Sequence, residues 1–271
     1  MHQSEDNKLV PMTSIDSGKL REVAPDVAYY TNQIVNLAMI GRPGADWVLV
    51  DAGMPKSAAE IIAAAILLTH GHFDHIGSIV ELLVKWPVPV YAHPLEFPFL
   101  TGERDYPEPD TTVEGGVLAK ISAIYPHQAT DIREALQALP PDGRVPGLPD
   151  WQWVHVPGHA PGQVAFFRDQ DRLLISADAL ITVRQDSLYR VLLQKQELCG
   201  PPVYLTTDWP AAHASAEKLA ALRPQTLVTG HGPAMQGEEL RAGLQHLLAH
   251  WQQEAVPDHG KWVKHQDGSN E

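Results

Sequence analysis

Apolar residues gather along this chain in two rhythms. Five short runs are compact and rich in β-branched residues: "WVLVD" (47–51), "ILLTH" (66–70), "WVHVPGH" (153–159), "LLISAD" (173–178) and "TLVTGH" (226–231). Their length and composition predict buried strands. Each run ends in Asp or His, and turn formers follow most of them closely, at Gly53, Gly71, Gly162, Gly232 and Pro233. A strand that stops at such a turn leaves its last side chain on the rim of a sheet, so five rims together can build a site.

The second rhythm is helical. "DWPAAHASAEKLAAL" (208–222) begins with Asp208 as an N-cap, has Pro210 in its first turn and runs to Pro224. "GEELRAGLQHLLAHWQQEA" (237–255) predicts one amphipathic helix with Leu240, Leu244, Leu247, Leu248 and Trp251 on its apolar side. "IGSIVELLVKW" (76–86) predicts another. Strands alternating with helices give an α/β fold with helix-covered sheets. Residues 94–150 break both rhythms, being rich in proline, glycine and charge, and predict an irregular functional loop or lid. In "SAAEIIAAAILLTH" (57–70) a helical pattern runs into a strand with no turn residues between them, which implies a very short helix or a missing loop near residues 65–66.

Composition narrows the picture. The 271 residues are 44% apolar and 20% charged, ordinary for a globular enzyme, and read as a single domain spanning 1–271. A net charge of −13 argues against nucleic acid or an anionic membrane as partner. Cys199 is the one cysteine, which excludes an intrachain disulfide and a thiolate zinc cluster. The N-terminal residues lack the apolar stretch of a secretory signal, so the expected location is cytoplasmic. Oligomeric state is not readable from the sequence.

Chemistry concentrates in "THGHFDHIG" (69–77), with His70, His72, Asp74 and His75 inside six positions. Imidazole and carboxylate bind divalent ions, and a tight turn after a strand can aim these groups at two adjacent metal positions. Neither position is complete, because a zinc ion takes about four ligands. His159, Asp178 and His231 occupy matching strand-end contexts and can supply the rest. The remaining histidines (His2, His127, His213, His246, His250, His259 and His265) read as surface or core residues. His93 and His155 lie beside strands, either packing or lining the site. Tyr106, Tyr189, Arg184 and Arg190 are candidates for substrate contact.

In the order His-x-His-x-Asp-His, His, Asp, His, the chain resembles the metallo-β-lactamase-like hydrolase superfamily across residues 30 to 250. That resemblance implies a four-layer αββα sandwich with an irregular inserted segment near the site. His70, His72 and His159 would hold one ion, and Asp74, His75 and His231 a second. Asp178 would bridge the two, and Asp51 would support the ligands from behind. It also implies two divalent ions, zinc first with manganese or iron acceptable, activating a water against a carbonyl or phosphoryl centre. Asp74 would then be the catalytic proton carrier.

The superfamily hosts many reactions, so the fold cannot name the substrate. The best-known zinc β-lactamases carry Cys, or no bridging carboxylate, at the position of Asp178, which leaves β-lactam hydrolysis at most a minor activity. The tRNA-processing and mRNA-cleaving branches carry extra nucleic-acid-binding elements, and a chain of net charge −13 without a basic run fits them poorly. Glyoxalase-II-type thioesterases and acyl-homoserine lactonases share the Asp bridge. The expectation is therefore a dinuclear hydrolase of a small ester, lactone or thioester, with substrate-binding residues unknown. The rivals are an iron-dependent, persulfide dioxygenase-like redox enzyme of the same fold and a binding protein with a structural metal.

Overall fold

Strand side chains alternate between two faces, and here the alternation assigns the layers. In the strand Val48–Val50 of the first sheet, Val48 and Val50 pack into the central core, whereas Leu49 packs into a cluster on the opposite face. In the second sheet, Val164 and Phe166 of the strand Val164–Arg168 face the central core while Ala165 and Phe167 face outward under helices. Two sheets patterned in this way bury their inner faces against each other and need helices on both outer faces.

The computed structural model describes residues 13–42, 46–55, 65–113, 120–184 and 188–263, and it has that form. A seven-stranded sheet runs in the order β1 (Leu20–Ala24), β2 (Val27–Asn32), β3 (Val35–Ile40), β4 (Val48–Val50), β5 (Ala65–Leu67), β6 (Val90–Ala92), β7 (Leu136–Ala138). The first four strands pair antiparallel, and β4 to β7 pair parallel. The second sheet uses β8 (Arg144–Val145), β9 (Leu148–His155), β10 (Val164–Arg168), β11 (Leu173–Ala177), β14 (Thr226–Thr229) and β15 (Met235–Gln236). Its spatial order is β15-β14-β11-β10-β9-β8, with β12 (Ile181–Val183) and β13 (Gln196–Cys199) forming a separate pair. The helix Ile79–Lys85 covers the first sheet through Ile79, Leu82 and Leu83. The helices Trp209–Ala221, Gly237–Ala249 and Trp251–Glu254 cover the second. This is an α/β sandwich with helices flanking two packed sheets.

Asp208 caps its helix by accepting a hydrogen bond from the Ala211 N–H at 3.0 Å, and Pro210 sits in the first turn. Two helix predictions need correction. The run 237–255 is not one helix: it breaks at His250 (φ −122°, ψ 23°), and Trp251 after the break is buried in the core. The run 76–86 begins at Ile79, and a separate helical turn, Phe73–Ile76, lies within the histidine cluster itself. Residues 94–150 are also more regular than their composition implies. They contain the turn Pro94–Glu96, the helix Phe97–Leu100, the edge strands β7 and β8, and the start of β9. The helix-to-strand oddity at 57–70 falls largely on residues 56–64, outside the described residues.

Candidate metal centre

Strand ends deliver the chemistry to one edge of the sandwich. Asp51 follows β4, His70 lies three residues past the end of β5, Asp178 follows β11 directly, and His231 lies just past β14. Asp51 (φ +63°) and Ala177 (φ +49°) both take the left-handed backbone conformation that non-glycine residues avoid. Two such residues beside one cluster are a mark of strain held for function. At Gly230 any side chain is excluded: a Cβ there would lie 2.0 Å from Asp178 Oδ1 and 2.9 Å from His75 Cε1.

The seven sequence-predicted groups converge. Ligand atoms of His70, His72 and His159 lie within 4.8 Å of one another, as do those of His70, His75 and Asp178, and those of Asp74, His75 and His231. Asp178 is central, with its carboxylate 3.4 Å from His75 Nε2, 3.5 Å from His159 Nε2 and 3.3 Å from His231 Nε2. All seven side chains are buried.

What stands behind each imidazole fixes which nitrogen points inward. His75 Nδ1 donates to Asp51 Oδ2 at 2.8 Å, and His231 Nδ1 donates to the Ile34 carbonyl at 2.9 Å. His159 Nδ1 lies 3.1 Å from Thr206 Oγ1, whose own proton goes to the Pro202 carbonyl at 2.7 Å. Thr206 is therefore an acceptor, and His159 presents Nε2 to the cluster. Asp51 also accepts from the Thr69 N–H and hydroxyl, at 2.8 Å each, and so supports the cluster from two sides. Backing of this kind is the usual companion of metal-binding histidine.

Electrostatics divides the group. Burial holds His70 and His72 well below the ordinary imidazole range, with neighbouring imidazoles adding to it. Burial likewise lowers His159 to about 4 despite the attraction of Asp178. Burial works against charge on His231 as well, yet Asp178 and Asp74 outweigh it and push His231 up to about 10. Asp178 is held well below the carboxylate range; burial would raise it, but His231 and His75 win. One side is therefore a trio of neutral imidazoles and the other an ion-paired set. The donor set fits a metal pair because His70 Nε2, Asp74 Oδ1, His75 Nε2 and Asp178 Oδ1 are all buried with no hydrogen-bond partner among the described residues. Unpaired buried polar atoms are costly, and bound cations would satisfy all four.

Two neighbours, Glu96 and Tyr125, carried no sequence signal, and a third, Tyr106, is a candidate for substrate contact named from the sequence. Glu96, fully buried, accepts from the Gly71 N–H at 2.9 Å through Oε2 and from the Gly162 N–H at 2.7 Å through Oε1. It thus ties the His70–His72 turn to the loop after His159. Tyr106 donates to Glu96 and packs 4.4 Å from the His72 ring, which makes it a support beneath the turn. Tyr125 is buried beside Phe73 and Tyr204, and its hydroxyl has no hydrogen-bond partner among the described residues. Burial and the Asp74 charge raise it above the ordinary phenol range, so it stays a proton donor. Of the other candidates, Arg184 and Arg190 pair with Glu197, Tyr189 is 69% exposed, and His93 stacks on His155 with centroids 4.3 Å apart.

A sequence profile of the metallo-beta-lactamase superfamily matches residues 31–231, the span that carries every one of these groups. The chain belongs to the metallo-beta-lactamase superfamily. "Probable metallo-hydrolase YflN" of Bacillus subtilis (strain 168) is 46% identical over 252 residues, covering 88% of this chain and 96% of that protein. TTHA1623, solved in a di-iron-bound form, is 27% identical with a TM-score of 0.50, covering 74% of this chain and 89% of that one. The superfamily protein ST1585 from Sulfolobus tokodaii shares the fold, with a TM-score of 0.59 at 17% identity over 96% of this chain and 89% of that one. As a member of the metallo-beta-lactamase superfamily, the protein is a metal-dependent hydrolase with a dinuclear metal-binding cluster.

Proposed function

We propose that the protein, working as one domain, hydrolyses a small ester, lactone or thioester at a centre holding two divalent ions, zinc first. The observation that carries this reading is Asp178, a buried carboxylate within 3.5 Å of imidazoles from both halves of the cluster. His70, His72 and His159 would hold one ion and Asp74, His75 and His231 the other, with Asp178 shared. Ions held there supply activation of a water near neutral pH and positive charge facing the developing oxyanion.

The chain's own groups do the rest. Asp51, Thr206 and the Ile34 carbonyl keep three imidazoles in one tautomer. Asp74 has one carboxylate oxygen without a hydrogen-bond partner, able to take a proton from the attacking water and return it to the leaving group. Phe73, Tyr125 and Tyr204 form an aromatic wall next to Asp74 that suits an acyl chain. The Tyr125 hydroxyl supplies a donor for the substrate oxygen. A panel of lactones, thioesters, phosphodiesters and nitrocefin, assayed with zinc-, manganese- and iron-loaded protein, tests the reading. Turnover confined to lactones or thioesters is expected; turnover of phosphodiesters or nitrocefin alone would overturn it. The di-iron form of TTHA1623 gives weight to a second reading, iron-dependent redox chemistry. Oxygen consumption on a persulfide by iron-loaded protein would establish that reading instead.

A further inference from the structure

At the far end of the chain, His246, His250 and Glu254 each offer one ligand atom, and the three atoms lie within 4.8 Å of one another. We propose that these residues form a separate, exposed site for a single transition-metal ion of the zinc or nickel type, clamping together the two C-terminal helices.

The break at His250 creates the geometry. On an unbroken helix, residues eight apart are separated by about 12 Å along the axis. Here the chain turns at His250, and Glu254 Oε1 comes back to 2.6 Å from His246 Nε2. The His246 and His250 rings sit with centroids 4.4 Å apart on the same side. His250 Nδ1 donates to the His246 carbonyl at 2.9 Å, which leaves its Nε2 as the free lone pair. A ring N–H given to a backbone carbonyl is the habitual arrangement of a metal-binding histidine, and it recurs at His231 in the buried centre.

The local field favours a cation as well. The last carbonyls of the helix Gly237–Ala249 carry its negative end toward this spot, and Glu254 adds a carboxylate. His246 Nε2 now hydrogen-bonds Glu254 Oε1; a tetrahedral ion between them needs about 3.4 Å between the two ligand atoms, from bond lengths of about 2.1 Å. Their side chains are 60% and 34% exposed, so that opening costs little. Two imidazoles and one carboxylate suit zinc, nickel or copper rather than magnesium or calcium, and the fourth position is left to water. An ion there would hold the bend that directs Trp251, 5% exposed, into the core under the second sheet. By mass action, an ion that binds only the folded state stabilises it.

The test counts metal without reference to turnover, so it stands or falls apart from the hydrolase assignment. Dimetal-loaded protein is dialysed against zinc chloride, and zinc per chain is measured by mass spectrometry. The native chain should retain one more zinc than His246→Ala/His250→Ala, with equal turnover and equal occupancy of the buried centre. Glu254→Gln, which leaves both imidazoles in place, should weaken the extra uptake, and added zinc should raise the melting temperature of native protein but not of the double variant. Equal zinc in native and double-variant proteins would overturn the site, as would extra uptake that survives loss of both histidines.

Discussion

A single methyl group decides the fate of the centre at Gly230, where a Cβ would meet Asp178 Oδ1 at 2.0 Å. Gly230→Ala must displace that carboxylate or the strand end carrying it. The expected result is loss of bound metal and a fall in kcat/KM of about 100-fold or more, with the melting transition still cooperative. Asp51→Asn tests the backing of the ligands. The substitution keeps the shape but turns one acceptor oxygen into a donor, facing the Thr69 and His75 N–H groups that Asp51 now accepts from. Metal affinity should drop about 10- to 100-fold, read by chelator competition. At this scale the sequence was informative for a physical reason: His and Asp at strand ends advertise metal chemistry by type alone. Glu96 and Tyr125 gave no such sign, and Tyr106 read only as a candidate for substrate contact. A glutamate or tyrosine in a proline-rich stretch reads as surface until the fold buries it.

At the scale of elements, the His70–His72 turn and the loop after His159 are joined by one buried carboxylate. Glu96→Ala would leave the Gly162 N–H and the Tyr106 hydroxyl proton without their acceptor, while the Gly71 N–H would keep only the Tyr106 hydroxyl oxygen at 2.9 Å. Each unsatisfied group costs about 1–3 kcal/mol, partly recovered if water enters. The variant should unfold at lower denaturant and lose metal first from the His70, His72 and His159 side, seen by titration of cobalt-substituted protein. Unchanged occupancy would show that the two loops hold their places without it. Strands with continuous apolar runs, such as β11, were legible because both faces are buried. The edge strands β7 and β8 were not, because residues such as Gln137 and Arg144 on them remain exposed. Strands β1 to β3 also gave little signal, and in β3 the apolar run is interrupted by Asn36, which is buried. Asn36 Nδ2 donates to the Thr229 and Gly232 carbonyls, pinning the His231 loop. The helix break at His250 has no proline or glycine to announce it.

Across the whole molecule, the two sheets are joined by packing, by the Asn36 hydrogen bonds and by the buried cation of Arg168. Arg168 on β10 is 2% exposed and donates to Asp26, in the β1–β2 turn of the other sheet, at 2.6 Å, and to Asp171 at 2.7 Å. Arg168→Ala should cost about 2–3 kcal/mol in chemical denaturation, less than a fully buried pair because both carboxylates reach water. The hydrogen bond from Arg168 holds Asp171 below the ordinary carboxylate range. Its folded-state value is thus depressed, so the stability it contributes is complete above the unfolded-state range and disappears as pH falls through the depressed value. The native chain should lose stability over that acid interval, and Arg168→Ala should lose less. The α/β class with helix-covered sheets was foreseeable from alternating strand and helix patterns, whereas the four-layer sandwich followed from the resemblance that the ligand motif carries. The central claim concerns the ions. Anomalous diffraction at the metal edge, from crystals of metal-loaded protein, should show two peaks about 3.5–4 Å apart, one beside His70, His72 and His159 and one beside Asp74, His75 and His231. A single peak, or none within the seven-residue cluster, would contradict it.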